Sequence, residues 1–416
     1  MNAFDGTSAM HGAPGPVTQA GYLNILLISH SRNDPDAGAS RVYHQLDHGL
    51  SQRGHHVETL HYEDLGLPRT RLLALAIEKL AMPRWIGRNQ ARRDFGEIDV
   101  VAAPSGMAHV LFSRLREKTS RPLLVNHQHG LSVYDHQARV TEALAGHVPF
   151  PLHKRVGEWP AISWDTAGMR YADLSVLQNL RDLDHLRRHA LPSSKLTMIA
   201  PALHPEILAA GATASPPETR DSGSLLWFGS WAARKGAAIL PSAFDEVLDR
   251  VPEAVLTIGG TGLPEHAILS RFSARAIRQI RVLPRLSLAD QIVEMQRHAI
   301  FLFPSLSEGF GLALVEAMAL GLAAVTTLTG FGADFIRQRE TGLIVPHSSA
   351  LHLANGIVEV IHDDAGRIAM ARRGQSLART FTLDRMAARY EEAFLAGLAG
   401  LAQARAPRGR QAQDPL

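Results

Sequence analysis

Glu308 and Glu316 stand eight positions apart in the segment SEGFGLALVEAMALG, residues 307–321, and two glycines, Gly309 and Gly311, follow the first acid. Glycines let a backbone approach a bound group closely and adopt dihedrals closed to other residues. If a helix begins near Leu312, its unpaired N–H groups and positive dipole end suit a phosphate. Glu316 then lies about 6 Å further along the axis, at roughly 1.5 Å per residue. A diphosphate at the helix start would leave an attached ribose beside Glu316, whose carboxylate can accept two hydroxyl hydrogen bonds. Glu308, on the other side of the turn, would face whatever the diphosphate carries. The spacing therefore measures a nucleotide–diphosphate–X ligand. Without the glycines, the same two acids would read as a surface carboxylate before a helix and a solvated one within it.

The elements needed to position these residues are legible around them. AIFLFPS is an apolar run of strand length that leads directly into the motif. Further buried strands are expected at 23–29 (LNILLIS), within RGHHVETLHY, and at 98–104, 122–128, ADLSVLQN and KLTMIAP. A second series runs through SLLWFGS, AVLTIGG, QIRVLP, AIFLFPS, LAAVTT and GLIVP. Helical patterns lie between most strands, and the region from Leu351 onward is helical with two breaks. Two βα-repeating halves predict an α/β protein with two Rossmann-like domains facing across a cleft. The expected layout is a disordered lead-in (1–21), a first domain (22–207), a linker (208–224) and a second domain (225–380). A helix at 381–398 would pack back on the first domain, and 399–416 would be a disordered tail.

Bulk composition agrees. The chain has 416 residues, 45% hydrophobic and 20% charged, enough to bury large cores. It has no cysteine, which excludes a disulfide scaffold, a thiol nucleophile and a thiolate metal site. Net charge is +3, too nearly balanced for the pI of 9.3 to argue for nucleic acid as a partner. The first residues lack both a basic region and an apolar core, so no signal peptide is read there.

The motif SEGFGLALVEAMALG resembles the Glu-x7-Glu signature of family 4 retaining glycosyltransferases, which have the GT-B fold, and LAAVTT and ETGLIVP follow at that family's spacing. The resemblance extends over about Leu23–Leu398 and is stronger in the second half. It implies that Glu316 binds ribose hydroxyls, that Glu308 contacts the donor sugar, and that the amides of Gly309, Phe310, Gly311 and Leu312 hold sugar and phosphates. FGSWAARKG is similar to the family's diphosphate clamp: Lys235 matches its lysine, Ser230 replaces its arginine, and Arg234 could supply that charge. TIGGTG (257–262) and VLPRL (282–286) resemble loops near the nucleotide and base. In the first half, Gly38 matches one glycine of a usual pair and Ala39 replaces the other. NHQHG makes His129 the cleft histidine, and Ala202 and Leu203 replace an Asn-Gly. The implied reaction moves a sugar from a nucleoside-diphosphate sugar to an acceptor hydroxyl, with no cofactor and no metal. Catalytic work would fall to His129, Glu308 and Lys235. Partners would be the sugar nucleotide and a glycan or lipid-linked acceptor, in bacterial surface polysaccharide or lipopolysaccharide assembly, in the cytoplasm or at the inner face of the plasma membrane.

Other readings stay open at this point. A GT-B epimerase, a phosphorylase or a catalytically silent binding protein would share these motifs. His127 and His129 alternate on a strand and so point the same way, as a metal pair would, but no third ligand has matching spacing. The stretch 68–95 mixes leucines with Arg71, Lys79, Arg84, Arg88, Arg92 and Arg93. It is either a surface for an anionic membrane or a core helix with a solvated basic face.

Overall fold

The computed structural model describes residues 21–34, 38–68, 70–189 and 191–405. Two parallel six-stranded sheets organise the chain. The first contains β1 (Asn24–Ile28), β2 (His56–Leu60), β3 (Val100–Pro104), β4 (Leu123–His127), β5 (Leu174–Leu177) and β6 (Leu196–Met198), ordered 2-1-3-4-5-6. The second contains β7 (Ser224–Phe228), β8 (Val255–Gly259), β9 (Ile280–Val282), β10 (Ile300–Phe303), β11 (Ala323–Thr326) and β12 (Leu343–Ile344), ordered 12-11-10-7-8-9. All twelve fall within the apolar runs read from the sequence. A parallel strand is buried on both faces and so reads as a continuous apolar run. Helices cover both faces of each sheet: Leu27 and Val125 point into one core of the first domain and Leu26 and Leu124 into the other.

Connectivity decides where a ligand can sit. In an open α/β sheet the crevice lies beyond the strand carboxyl ends, where strand order reverses. In the second sheet that point is between β7 and β10. The loops leaving these strands carry Lys235 and Glu308. In the first sheet it lies between β1 and β3, and the loop after β1 leads to Gly38.

Two expectations are corrected. The proposed linker 208–224 begins inside a helix, Pro205–Ala212, with Pro205 in its first turn and the His204 ring accepting from the Glu206 N–H. The tail expected from 399 is helical through Arg405, within the helix Leu383–Arg405. Gly397 in that helix lets it lie close on the sheet, since a Cβ there would stand 2.8 Å from the Leu123 side chain. The remainder of the tail, 406–416, and lead-in residues 1–20 fall outside the described residues. Ala202 and Leu203 are core positions, 1% and 0% exposed, and the Leu203 N–H donates to Phe381 O where the chain passes between the domains.

The Leu383–Arg405 helix lies against the first domain. Met386, Tyr390 and Phe394 join the core of β1, β3 and β4. Arg53 bonds Glu391 and Asp384 at its edge. The Tyr390 hydroxyl sits 2.8 Å from His127 Nε2.

Candidate active site

The helix Leu312–Ala319 starts where the sequence placed it. Gly311 is its N-cap at φ +99°, a left-handed conformation that favours glycine, and a Cβ there would meet the Phe303 ring at 3.1 Å. Gly309 has a different reason to be glycine. Its ideal Cβ would stand 1.9 Å from the His129 carbonyl oxygen, on the other domain. The close approach expected of this glycine is therefore already used by the facing domain's backbone.

Glu308 is the focus of two cations. Lys235 Nζ lies 2.6 Å from Glu308 Oε1, and Arg234 Nη1 lies 3.7 Å from Oε2. Ser305 Oγ donates to Oε1 at 2.8 Å. Burial alone would raise the carboxyl's pKa, but Lys235, then Arg234, outweigh it and hold the group below its ordinary value. The Lys235 turn is fixed against β10: Leu306 N–H donates to Arg234 O at 2.7 Å. Gly236, at φ +67°, leaves no room for a Cβ, which would lie 2.1 Å from Pro304 O. Ser230 is exposed, and the second cation beside Glu308 is Arg234. Arg234 also lies 3.8 Å from Asp135 of the first domain.

Glu316 is buried and does not sit alone. Arg41 Nη1 lies 2.5 Å from its Oε1, and Gln291 Nε2 donates to Oε2 at 3.3 Å. Arg41 belongs to the helix Gly38–Gln52 of the first domain, just beyond Gly38. Lys235 and Arg234 thus meet Glu308 just before the Leu312–Ala319 helix, and Glu316 within that helix meets a first-domain arginine instead.

His129 follows β4 and faces this cluster through its backbone. Its ring stacks obliquely on His127, with centroids 4.3 Å apart. Gln178 Nε2 donates to His129 Nδ1 at 3.2 Å, which puts the ring proton on Nε2. That Nε2–H is buried with no partner among the described residues. Burial, with His127 and His30 adding to it, holds the His129 pKa well below its ordinary 6.5, so the ring is neutral. His129 can therefore donate a hydrogen bond but does not carry charge at neutral pH. Among the described residues, no group of three His, Asp or Glu side chains is placed to hold a metal.

Cross-domain hydrogen bonds seal the cleft. Asn179 Nδ2 donates to Gly309 O at 2.6 Å, Ser307 Oγ to Asp135 Oδ1 at 2.7 Å, and Leu180 N to Asp334 Oδ2 at 2.8 Å. Arg285, in the VLPRL loop, pairs with Asp34 at 2.7 Å. Sequence reasoning missed Arg41, Gln291, Ser305, Gln178 and Asn179. The one available signal was Arg41 itself, a cation beside Val42 and Tyr43 on a helix that follows a glycine loop.

Comparison with known proteins agrees with this geometry. The family described as Glycosyl transferases group 1 matches residues 216–377, which contain Lys235, Glu308 and Glu316. The matched segment lies in the second domain and is similar to that family. The chain is 29% identical over 168 residues to the phosphatidyl-myo-inositol mannosyltransferase of Mycobacterium tuberculosis, covering 39% of this chain and 44% of that one. It is also 24% identical over 239 residues to the D-inositol 3-phosphate glycosyltransferase of Corynebacterium diphtheriae, covering 54% and 56%. The matches span about half the length of these two relatives. Among solved structures, the sucrose-phosphate synthase of Thermosynechococcus elongatus aligns over 91% of this chain and all of that one, with a TM-score of 0.69 at 17% identity. Anabaena HepE in complex with UDP and glucose aligns over 89% and 99%, with a TM-score of 0.59 at 15% identity. At those identities the likeness establishes the fold, and the fold is GT-B.

Proposed function

We propose that the chain is a retaining glycosyltransferase that moves a sugar from a nucleoside-diphosphate sugar to an acceptor hydroxyl. The observation that carries this reading is the convergence of Lys235 and Arg234 on Glu308 at the start of the Leu312–Ala319 helix, with Glu316 one turn further on. When a donor enters, its diphosphate would take over the two cations and the helix N–H groups, leaving Glu308 to the sugar. The bond from the anomeric carbon to the leaving diphosphate oxygen breaks, and negative charge grows where those fixed charges are aimed. The acceptor oxygen attacks the same face of the sugar, and its proton passes to the leaving phosphate oxygen. The neutral His129 Nε2–H would donate to the sugar and orient it. This division of labour assigns charge neutralisation to side chains and a helix end and calls on no metal. The GDP-mannose-dependent mannosyltransferase of Corynebacterium glutamicum, 30% identical over 34% of this chain, and the UDP complex of HepE support a nucleotide-sugar donor.

A lipid-linked acceptor at an anionic membrane is part of the same proposal. The helix Arg71–Leu80 buries only Ile77 and turns its leucines outward: Leu72 is 80% exposed and Leu80 60%. The next helix, Met82–Asn89, is instead a core helix with a solvated basic face, burying Met82 and Ile86 and exposing Arg84 and Arg88. Leu152, Val156 and Trp159 add a second exposed apolar group, and Arg71, Lys79, Lys154 and Arg155 are also exposed. Outward leucines among basic side chains suit an anionic lipid surface. Relatives named for phosphatidyl-myo-inositol support a lipid acceptor. No helix among the described residues is long and apolar enough to cross a membrane. We place the reaction at the inner face of the plasma membrane, in bacterial surface polysaccharide or lipopolysaccharide assembly.

The test is a thermal-shift panel of UDP-, GDP- and ADP-sugars, followed by transfer assays on Lys235→Ala and Glu308→Gln. Stabilisation by one nucleotide series and loss of transfer in both variants are expected. Full activity in either variant would overturn the assignment.

A further inference from the structure

The residue that occupies Glu316 comes from the opposite domain. Arg41 and Glu316 side chains are 7% and 4% exposed, and 275 positions separate them. Gln291 takes the other carboxylate oxygen. Ribose hydroxyls and Arg41 would therefore compete for the same buried carboxylate. The same helix that carries Arg41 is held to the C-terminal helix through Arg53, so Arg41 is anchored to the first domain and not to the nucleotide side of the cleft.

We propose that Arg41 is a positioning residue that occupies the ribose subsite before nucleotide binds, holding the two domains together until ribose hydroxyls replace it on Glu316. The inference rests on the donor reading given above. Removing one partner of a buried ion pair leaves the other charge in an unfavourable, poorly solvated setting. Before binding, Arg41 prevents that. In the bound chain the ribose hydroxyls prevent it instead, so the nucleotide competes with Arg41 for one carboxylate. Exchange releases Arg41 from the second domain. Ribose recognition and release of Arg41 are thereby one event. A residue acting only as scaffold would have no such link, and its loss would weaken or leave unchanged the binding of nucleotide.

The test compares the full-length wild type with Arg41→Ala and, as a gentler variant, Arg41→Gln, which keeps a neutral hydrogen bond to Glu316. UDP, GDP and ADP are titrated calorimetrically, and small-angle scattering gives the radius of gyration of each chain without nucleotide. The expected result is a larger radius of gyration in Arg41→Ala, with the preferred diphosphate binding about tenfold or more tightly and Arg41→Gln lying between. Binding that is unchanged from wild type or weaker in both variants would overturn the role of Arg41 and leave the donor reading standing. Binding of no diphosphate by any of the three chains would overturn the donor reading, and this inference with it.

Discussion

Gly309→Ala separates the function of the cleft from the stability of the domain that carries it. The Gly309 backbone is not left-handed, so alanine fits its dihedrals. The three atoms nearest the added methyl, His129 O at 1.9 Å, His129 C at 2.5 Å and Gly130 N at 3.1 Å, all belong to the facing domain. An ordinary carbon–oxygen contact is about 3.3–3.6 Å, so the two loops must part by roughly 1.5 Å. A misplacement of about 1 Å at a reacting centre can cost about 100-fold in rate. The same shift breaks the Asn179 bond to Gly309 O. Gly309→Ala is therefore expected to lower kcat for transfer by about 100-fold or more, with the thermal midpoint nearly unchanged and nucleoside diphosphate still bound. The assay is initial-rate transfer from the preferred nucleotide sugar beside calorimetric titration of its diphosphate. Transfer within twofold of wild type would refute the reasoning, because the domains would then not need this contact to react. Loss of both binding and folding would refute it equally, by placing the clash within the second domain.

Two further outcomes follow from the same geometry. Leu72→Glu together with Leu80→Glu should abolish co-flotation with phosphatidylglycerol vesicles while leaving nucleotide binding intact; retained flotation would remove the membrane from the account. Asp182 is buried in the first domain, and burial lifts its pKa to about 7 from an ordinary 3.8. Between about pH 4 and 7 the folded chain holds a proton there that the unfolded chain has released, so this group's contribution to stability falls as pH rises through that window. Asp182→Asn should raise the thermal midpoint at pH 7.5 and flatten its pH dependence; an unchanged slope between pH 4 and 7 would show that the carboxyl does not titrate in this range.

The strands and the Glu308–Glu316 motif were legible because each is written locally. Twelve apolar runs of strand length became twelve parallel strands, and a glycine before a small-residue run became a helix start. What escaped was set by contacts between distant segments. Arg41 gives no sign in sequence that it will meet an acid 275 positions away. The leucines of 71–80 have helical spacing, but periodicity does not say which face turns inward, and here only Ile77 does. The tail from 399 reads as disordered, yet Gly397 serves close packing on Leu123 and the helix continues to Arg405. The Ala-, Gly-, Ser-, Thr- and Pro-rich run 208–224 reads as linker, while Pro205 at a first helical turn begins a helix that ends at Ala212.

The central claim is that Glu316 reads the ribose of a nucleotide whose diphosphate lies at Lys235 and the helix start. It is tested most directly by titrating the preferred nucleoside diphosphate and its 2′,3′-dideoxy analogue into the wild type and into Glu316→Ala. The account predicts that loss of the two hydroxyls weakens binding to the wild type by about tenfold or more and has little effect on Glu316→Ala. Equal sensitivity to the missing hydroxyls in the two proteins would contradict it.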